Sequence, residues 1–254
     1  MKRETFNRYY FDPETFEETY PYKLDKKKHF YYKNLEEKFN ELFNNISEEE
    51  IQEKIKKEKK IRNLNEPSFI YGEVTFKTLT YILEYLYNVY SINLNGIFYD
   101  LGSGIGKAIF SAALTFPFKK YIGIEYLQTL NHYSNIIKSI FKRNFPLLRK
   151  EDRILNEKFK NITPDITFKY GDFLKENLLN ASFIFINSTC FSNSLMKELS
   201  SKIINEVMSG CIIITITSEL ECKENEFEKL NILRRYMAWG ISNIYIYIKI
   251  NVDK

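Results

Sequence analysis

The sequence predicts an α/β fold, a doubly wound seven-stranded sheet with a terminal antiparallel hairpin, preceded by a small helical N-terminal region. Three observations carry this. Short apolar runs at 97–101, 121–125, 166–170, 183–187 and 211–217 alternate with helical patterns from residue 67 onward. Segments 231–239 and 243–250 read as two strands joined by a short turn, an antiparallel addition late in the chain. Residues 1–66, by contrast, are strongly charged and contain no run that reads as a buried strand.

Within the first 66 residues, Leu35, Phe39, Leu42, Phe43 and Ile46 fall at helical spacing and give one apolar stripe. Ser47 followed by Glu50 is a capping box, so a second helix starts there. Its later part, 54–60, carries Ile55 and little else apolar, and is expected to be a solvated face. The chain is therefore divided into a helical N-terminal region, 1–66, and a larger domain, 67–254. In the larger part Phe76, Leu79, Ile82, Leu83, Leu86, Tyr87 and Tyr90 mark an amphipathic helix, and 107–114 the helix after the first strand. Leu130, Tyr133, Ile136, Ile137, Ile140 and Phe141 line the next, expected to stop before Pro146. Leu195, Met196, Leu199, Ile203 and Val207 form another, closed by Gly210.

Composition excludes several classes. Hydrophobic residues are 44% of the 254, enough for a packed core. The net charge of +4 is small, and the lysines are interspersed with glutamates, so charge does not argue for nucleic acid. Cys190, Cys211 and Cys222 form no CxxC pair, and with two histidines no metal cluster is expected. No apolar run reaches the ~18 residues of a membrane span. These features predict a soluble protein of a reducing compartment, nuclear or cytoplasmic and not secreted, with no membrane partner.

The chemistry is concentrated at Asp100-Leu101-Gly102-Ser103-Gly104-Ile105-Gly106, where the first strand hands over to a helix. Two nucleotide-binding motifs fail on spacing. A phosphate-binding P-loop needs a glycine five before Gly106 and Ser or Thr after Lys107, and the chain has Leu101 and Ala108. The dinucleotide fingerprint needs a glycine at Lys107. The spacing fits instead the Asp/Glu-x-Gly-x-Gly-x-Gly pattern of methyltransferases that use S-adenosylmethionine. The second strand ends in Glu125, which can take both ribose hydroxyls, and the third in Tyr170-Gly171-Asp172-Phe173, a carboxylate and a ring for adenine. Three acids at the ends of three successive strands suit a small, partly cationic nucleoside without phosphate.

Tyr71-Gly72-Glu73 ahead of the first amphipathic helix, the glycine loop, Gly171-Asp172-Phe173-Leu174 and Phe185-Ile186-Asn187 together make a narrower pattern. In order and spacing it resembles the catalytic domain of the non-SET histone-lysine methyltransferases, the disruptor-of-telomeric-silencing (Dot) family, over roughly residues 67–250. That resemblance implies a Rossmann-like class I methyltransferase that moves a methyl group from S-adenosylmethionine in line to a lysine ε-amine. It implies that Tyr71 and Glu73 close over the methionine part of the cofactor. Asp100, Gly102 and Gly104 would hold its amino-acid portion, Glu125 its ribose, and Asp172 with Phe173 its adenine, with Ser103, Gly106 and Asn187 also among the cofactor-binding residues. Asn187 would line the methyl-transfer site, and Phe191, Trp239 and Tyr245 the target-lysine channel.

The chain departs from the family where Asn-Asn-Phe is common, having Asn187-Ser188-Thr189 and then Cys190-Phe191, and Val74 replaces a small hydroxyl residue. It shows no long lysine-rich segment of the kind that helps some relatives hold nucleosomal DNA, which leaves direct DNA contact open. The expected partner is a protein carrying a target lysine, a histone or nucleosome or another protein. The alternative is a module that keeps the pocket without turnover, with 1–66 as its interaction part. A small-molecule or RNA methyltransferase is weaker, because the fourth strand lacks the Asn/Asp-Pro-Pro-Tyr of base-amine methylation.

Overall fold

A computed structural model describes residues 21–64, 74–160, 162–237 and 239–250. In chain order the helices are α1 (Lys26–Glu41), α2 (Glu48–Arg62), α3 (Phe76–Val89), α4 (Lys107–Thr115), α5 (Gln128–Glu151), α6 (Arg153–Phe159) and α7 (Asn193–Glu206). The strands are β1 (Ile97–Leu101), β2 (Lys120–Glu125), β3 (Ile166–Tyr170), β4 (Phe183–Asn187), β5 (Ile212–Ile216), β6 (Phe227–Met237) and β7 (Gly240–Lys249).

The strands form one seven-stranded sheet in the order β3-β2-β1-β4-β5-β7-β6. Pairings from β3 to β5 are parallel, and β7 pairs antiparallel with both β5 and β6. This is the doubly wound α/β fold with a terminal hairpin that the alternation predicts. The order reverses between β1 and β4, so their carboxyl ends flank the crevice where such sheets bind ligands.

Two apolar layers cover the sheet. Phe98, Tyr121, Phe168, Phe183 and Phe185 point to a layer built with α1 to α6, while Tyr99, Ile122, Ile184, Ile186, Ile213 and Tyr247 point to one built with α7. Strand alternation then settles where the strand-end residues face. Asp100, Glu125 and Asn187 share the face of the first layer, whereas Tyr245, opposite Thr215, belongs to the second.

Three departures from expectation have physical causes. The helix expected to stop before Pro146 runs through it to Glu151. Pro146 stands on the exposed side of α5, between buried Phe145 and half-buried Leu148, where a helix tolerates the amide it lacks better than in the core. A short helix, α6, follows at once because Asp152 caps it, accepting from Leu155 N at 2.9 Å. Of the first 66 residues, the described part packs on the sheet: Leu35 and Phe39 of α1 and Ile51 and Ile55 of α2 are buried in the same layer as α3 to α5. Ser47 does cap α2, accepting from Glu50 N at 3.2 Å. Among the described residues no helix is long and apolar enough to cross a membrane.

Candidate active site

The loop after β1 is built on glycines with left-handed backbone. At Gly102 (φ +84°) an added Cβ would lie 3.4 Å from the Phe191 ring. At Gly106 (φ +93°) it would meet Phe168 at 2.5 Å and Phe110 at 2.9 Å. The loop turns its amides inward. Gly102 N and Ser103 N donate to Ile124 O (2.9 and 3.0 Å), Gly104 N to Glu125 Oε2 (2.8 Å), and Gly106 N to Ser103 O (2.8 Å). Phosphate-binding loops aim such amides at the anion. Here they are spent on β2 and on the loop itself, a structural reason to exclude phosphate beside the failed spacings.

What the loop encloses is acidic. Asp100 and Glu125 are 3% and 7% exposed. Burial pushes the Asp100 carboxyl well above the usual carboxylate range, and the neighbouring Glu125 charge adds to this. Glu125 is also raised by burial, against which the amides of Leu127 and Gly104 hold its charge. Its oxygens accept from Gly104 N and Leu127 N, both at 2.8 Å, and the Tyr126 amide also helps to hold its charge. Ser103 Oγ is buried without a hydrogen-bond partner. Two confined carboxylates and an unsatisfied hydroxyl fit a ligand with positive charge and hydroxyls, as S-adenosylmethionine has.

Aromatic rings bound the same crevice. Phe173 stacks on Phe191, centroids 5.6 Å apart and planes at 23°, and Phe191 is the ring that overlies Gly102. Phe191 thus joins the glycine loop to the loop after β3. Asp172 accepts from Leu174 N at 2.9 Å and lies 3.9 Å from Lys175 Nζ, so one oxygen holds its own turn. Asn187 closes β4 on the same sheet face as Asp100 and accepts from Thr189 Oγ1 at 2.9 Å. Trp239 lies in the β6–β7 turn, beyond the carboxyl end of β5, its indole N–H donating to Ser242 Oγ at 3.0 Å. Tyr245 is buried on the opposite face, accepts from Asn243 Nδ2 at 3.2 Å and has Lys229 Nζ 5.7 Å from its ring centre. The structure therefore gathers Asp100, Gly102, Ser103, Gly104, Gly106, Glu125 and Asn187, with Phe173 and Phe191 reaching the loop from the second layer, and leaves Tyr245 in that second layer. Tyr71 and Glu73 lie outside the described residues.

Sequence reasoning placed the start of α2 but missed the role of its end, whose last turn clamps the segment carrying Glu125. Glu58 accepts from Gln128 N (2.7 Å) and Thr129 N (2.8 Å), supplying the N-cap that Leu127 cannot. Arg62 bonds Glu58 at 2.7 Å, donates to Tyr126 O at 2.9 Å and stacks on the Tyr126 ring at 4.4 Å. Burial would push the Glu58 carboxyl up, but the α5 amides and Arg62 bring it below its ordinary range. The only signal in the sequence was Glu58 four residues before Arg62, which any solvated helix can show.

The family model described as histone methylation protein DOT1 matches residues 51–238, from within α2 to the β6–β7 hairpin. A Caenorhabditis elegans protein described as histone-lysine N-methyltransferase, H3 lysine-79 specific, is 29% identical over 157 residues, covering 61% of this chain and 15% of that one. Proteins of the same description from Drosophila melanogaster and Kluyveromyces lactis are 26% and 27% identical, over 52% and 59% of this chain. The match spans only 7% and 25% of those two, so the chain corresponds to a minor part of each relative. Among solved structures, a class I S-adenosylmethionine-dependent methyltransferase from Listeria monocytogenes superimposes with a TM-score of 0.49 at 11% identity, covering 83% of this chain and 71% of that one.

Proposed function

Because the chain belongs to the DOT1 family of histone methylation proteins, which are S-adenosylmethionine-dependent, we propose that it methylates the ε-amine of a histone lysine, acting in the nucleus. Histone H3, for which its relatives are named, is the substrate we expect. The observation that carries the reading is the pair of buried carboxylates, Asp100 and Glu125, beneath a glycine loop whose Gly102, Ser103, Gly104 and Gly106 amides are already spent within the protein.

When bound, S-adenosylmethionine supplies an electrophilic methyl group on a sulfonium. The chain's own residues bind and orient. Asp100 and the Ser103 hydroxyl would hold the amino-acid end, Glu125 the ribose, and Phe173 with Phe191 would pack the base. The target lysine must arrive neutral. Its amine has a reference pKa near 10.4, so the neutral form costs about 4–5 kcal/mol at neutral pH. Among the described residues of the crevice no paired His and carboxylate stands ready as a base. Desolvation against Phe191 and the apolar wall lowers the amine's pKa instead. Catalysis is then mainly orientation and exclusion of water.

The experiment is incubation of the chain with labelled cofactor and nucleosomes, free histones or cell lysate, in parallel with Asn187→Ala. Label on histone H3, abolished in the variant, is the expected result. Label on another protein would keep the chemistry and change the substrate. Undiminished label in Asn187→Ala would sink the site assignment.

A further inference from the structure

The loops after β4 and β5 carry a hydrogen-bonded chain ending on Asn187. Thr189 Oγ1 donates to Asn187 Oδ1 at 2.9 Å and lies 2.9 Å from Thr217 Oγ1. A hydroxyl has one proton to give. Thr189 gives its proton to Asn187, so the second bond is donated by Thr217. The chain therefore has a fixed polarity, from Thr217 to Thr189 to Asn187.

Thr217 holds φ at +77°, in the left-handed region that a β-branched residue rarely adopts. Neighbouring bonds hold it there. Thr217 N donates to Asn243 O at 2.8 Å, Ser218 N donates to Ser188 Oγ at 3.2 Å, and Ser188 Oγ donates to Ile216 O at 2.5 Å. Packing does not call for threonine, because Thr217 is exposed. Glycine or asparagine would make the same turn with less strain. What threonine adds is the hydroxyl that meets Thr189. The Thr189 position is also where the chain parts from its family's common Asn-Asn-Phe. Strain and departure meet on one side chain, Asn187.

We propose that Thr189 and Thr217 are positioning residues that hold the Asn187 carboxamide by its oxygen. This rests on the reading that Asn187 borders the methyl-transfer site. Oδ1 accepts from Thr189, which in turn meets Thr217, so the carboxamide is held about its last torsion. A rotating carboxamide could turn its oxygen to the target amine and stabilise it as an ammonium, the form that cannot attack. With one of its two lone pairs taken by Thr189, the oxygen is held in one orientation and is a poorer acceptor for the ammonium. The hydroxyl chain thus fixes the rotamer in which Asn187 meets the site.

The test is a double-mutant cycle on the full chain with nucleosomes as acceptor, with the Asn187 side-chain amide signals in 15N NMR as a readout independent of turnover. Thr189→Val is expected to lower kcat about tenfold or more, with cofactor Kd changed by less than about twofold, and to add almost nothing in the Asn187→Ala background. Thr217→Val should act in the same direction more weakly, and Thr217→Ser should restore kcat. The Asn187 NH2 signals, assigned by their loss in Asn187→Ala, should move in Thr189→Val. Wild-type kcat and unmoved amide signals in Thr189→Val, with Asn187→Ala inactive, would overturn the proposal. Wild-type turnover in Asn187→Ala would overturn the site reading instead. The amide signals decide the positioning by themselves wherever turnover is absent.

Discussion

Asp100 is held in a state that costs stability and, in the proposed site, serves binding. Its carboxyl is raised by burial and by Glu125, so the folded protein binds that proton more tightly than the unfolded chain does. The stability tied to the proton is present at low pH and lost as pH rises through the raised pKa. At neutral pH the carboxylate therefore destabilises the fold. Asp100→Asn is expected to raise Tm at pH 7 by about 2–6 °C, and the gap to wild type should close as the pH falls. The same change should weaken S-adenosylmethionine binding at least about tenfold, the worth of a charge-assisted hydrogen bond. Thermal melts with and without cofactor read both, and a variant that is neither more stable nor weaker in binding refutes the account. Asp100 and Glu125 were legible in the sequence because each needs only a strand end to place it. Thr217 was not: its significance lies in a backbone angle, and nothing in the letters Ile216-Thr217-Ser218 announces φ of +77°. The inward-turned loop amides were hidden for the same reason.

At the scale of elements, α2 is the piece whose role the sequence concealed. Its start was readable, since Ser47 and Glu50 form a local capping box. Its end was not, because Glu58 and Arg62 have the same spacing whether they face water or another helix. In the folded chain they meet the N-terminus of α5, and Glu58 is only 11% exposed at its side chain. The clamp fixes residues 125–129, so it also sets the Glu125 carboxylate through Leu127 N. Glu58→Gln removes the charge opposite the α5 dipole and leaves one amide facing an NH2 group. It should cost about 1–2 kcal/mol of stability and weaken cofactor binding by a similar energy, roughly 5–30-fold. Lys57→Gln, one residue away on the exposed side, should change neither. Calorimetric titration with S-adenosylhomocysteine distinguishes the two. Equal affinity in Glu58→Gln would show that α2 merely packs beside the site.

For the whole molecule, the N-terminal helices are one body with the sheet because apolar layers and one buried polar cluster join them. Lys28 Nζ and Tyr32 Oη both donate to Glu84 of α3, Lys28 at 2.7 Å. Lys158 of α6 donates to Thr115 O at 2.8 Å and lies 4.8 Å from the Phe116 ring centre. Burial brings the Lys158 pKa down to about 8, with Glu84 pulling the other way. Below pH 8 both folded and unfolded chains hold that proton, and the buried charge costs about 3 kcal/mol net of the Glu84 attraction. Between about 8 and the unfolded value of 10.5 the unfolded chain keeps a proton the folded one has released, so Lys158 makes stability rise with pH. From about pH 9 the trend reverses: burial holds the Cys211 thiol up to about 12, the Cys190 and Cys222 thiols above their ordinary value and the Tyr32 and Tyr121 hydroxyls far above theirs, so the unfolded chain ionises them first. Stability should therefore peak at about pH 9, above the neutral range usual for proteins. Lys158→Met keeps the volume and removes the charge. It is expected to raise Tm at pH 7 by several degrees and to abolish the rise between about pH 8 and 9. Melting curves across that range decide it: a variant that keeps the wild-type slope would show that another group, and not the lysine at the junction of α1, α3 and α6, sets the pH response.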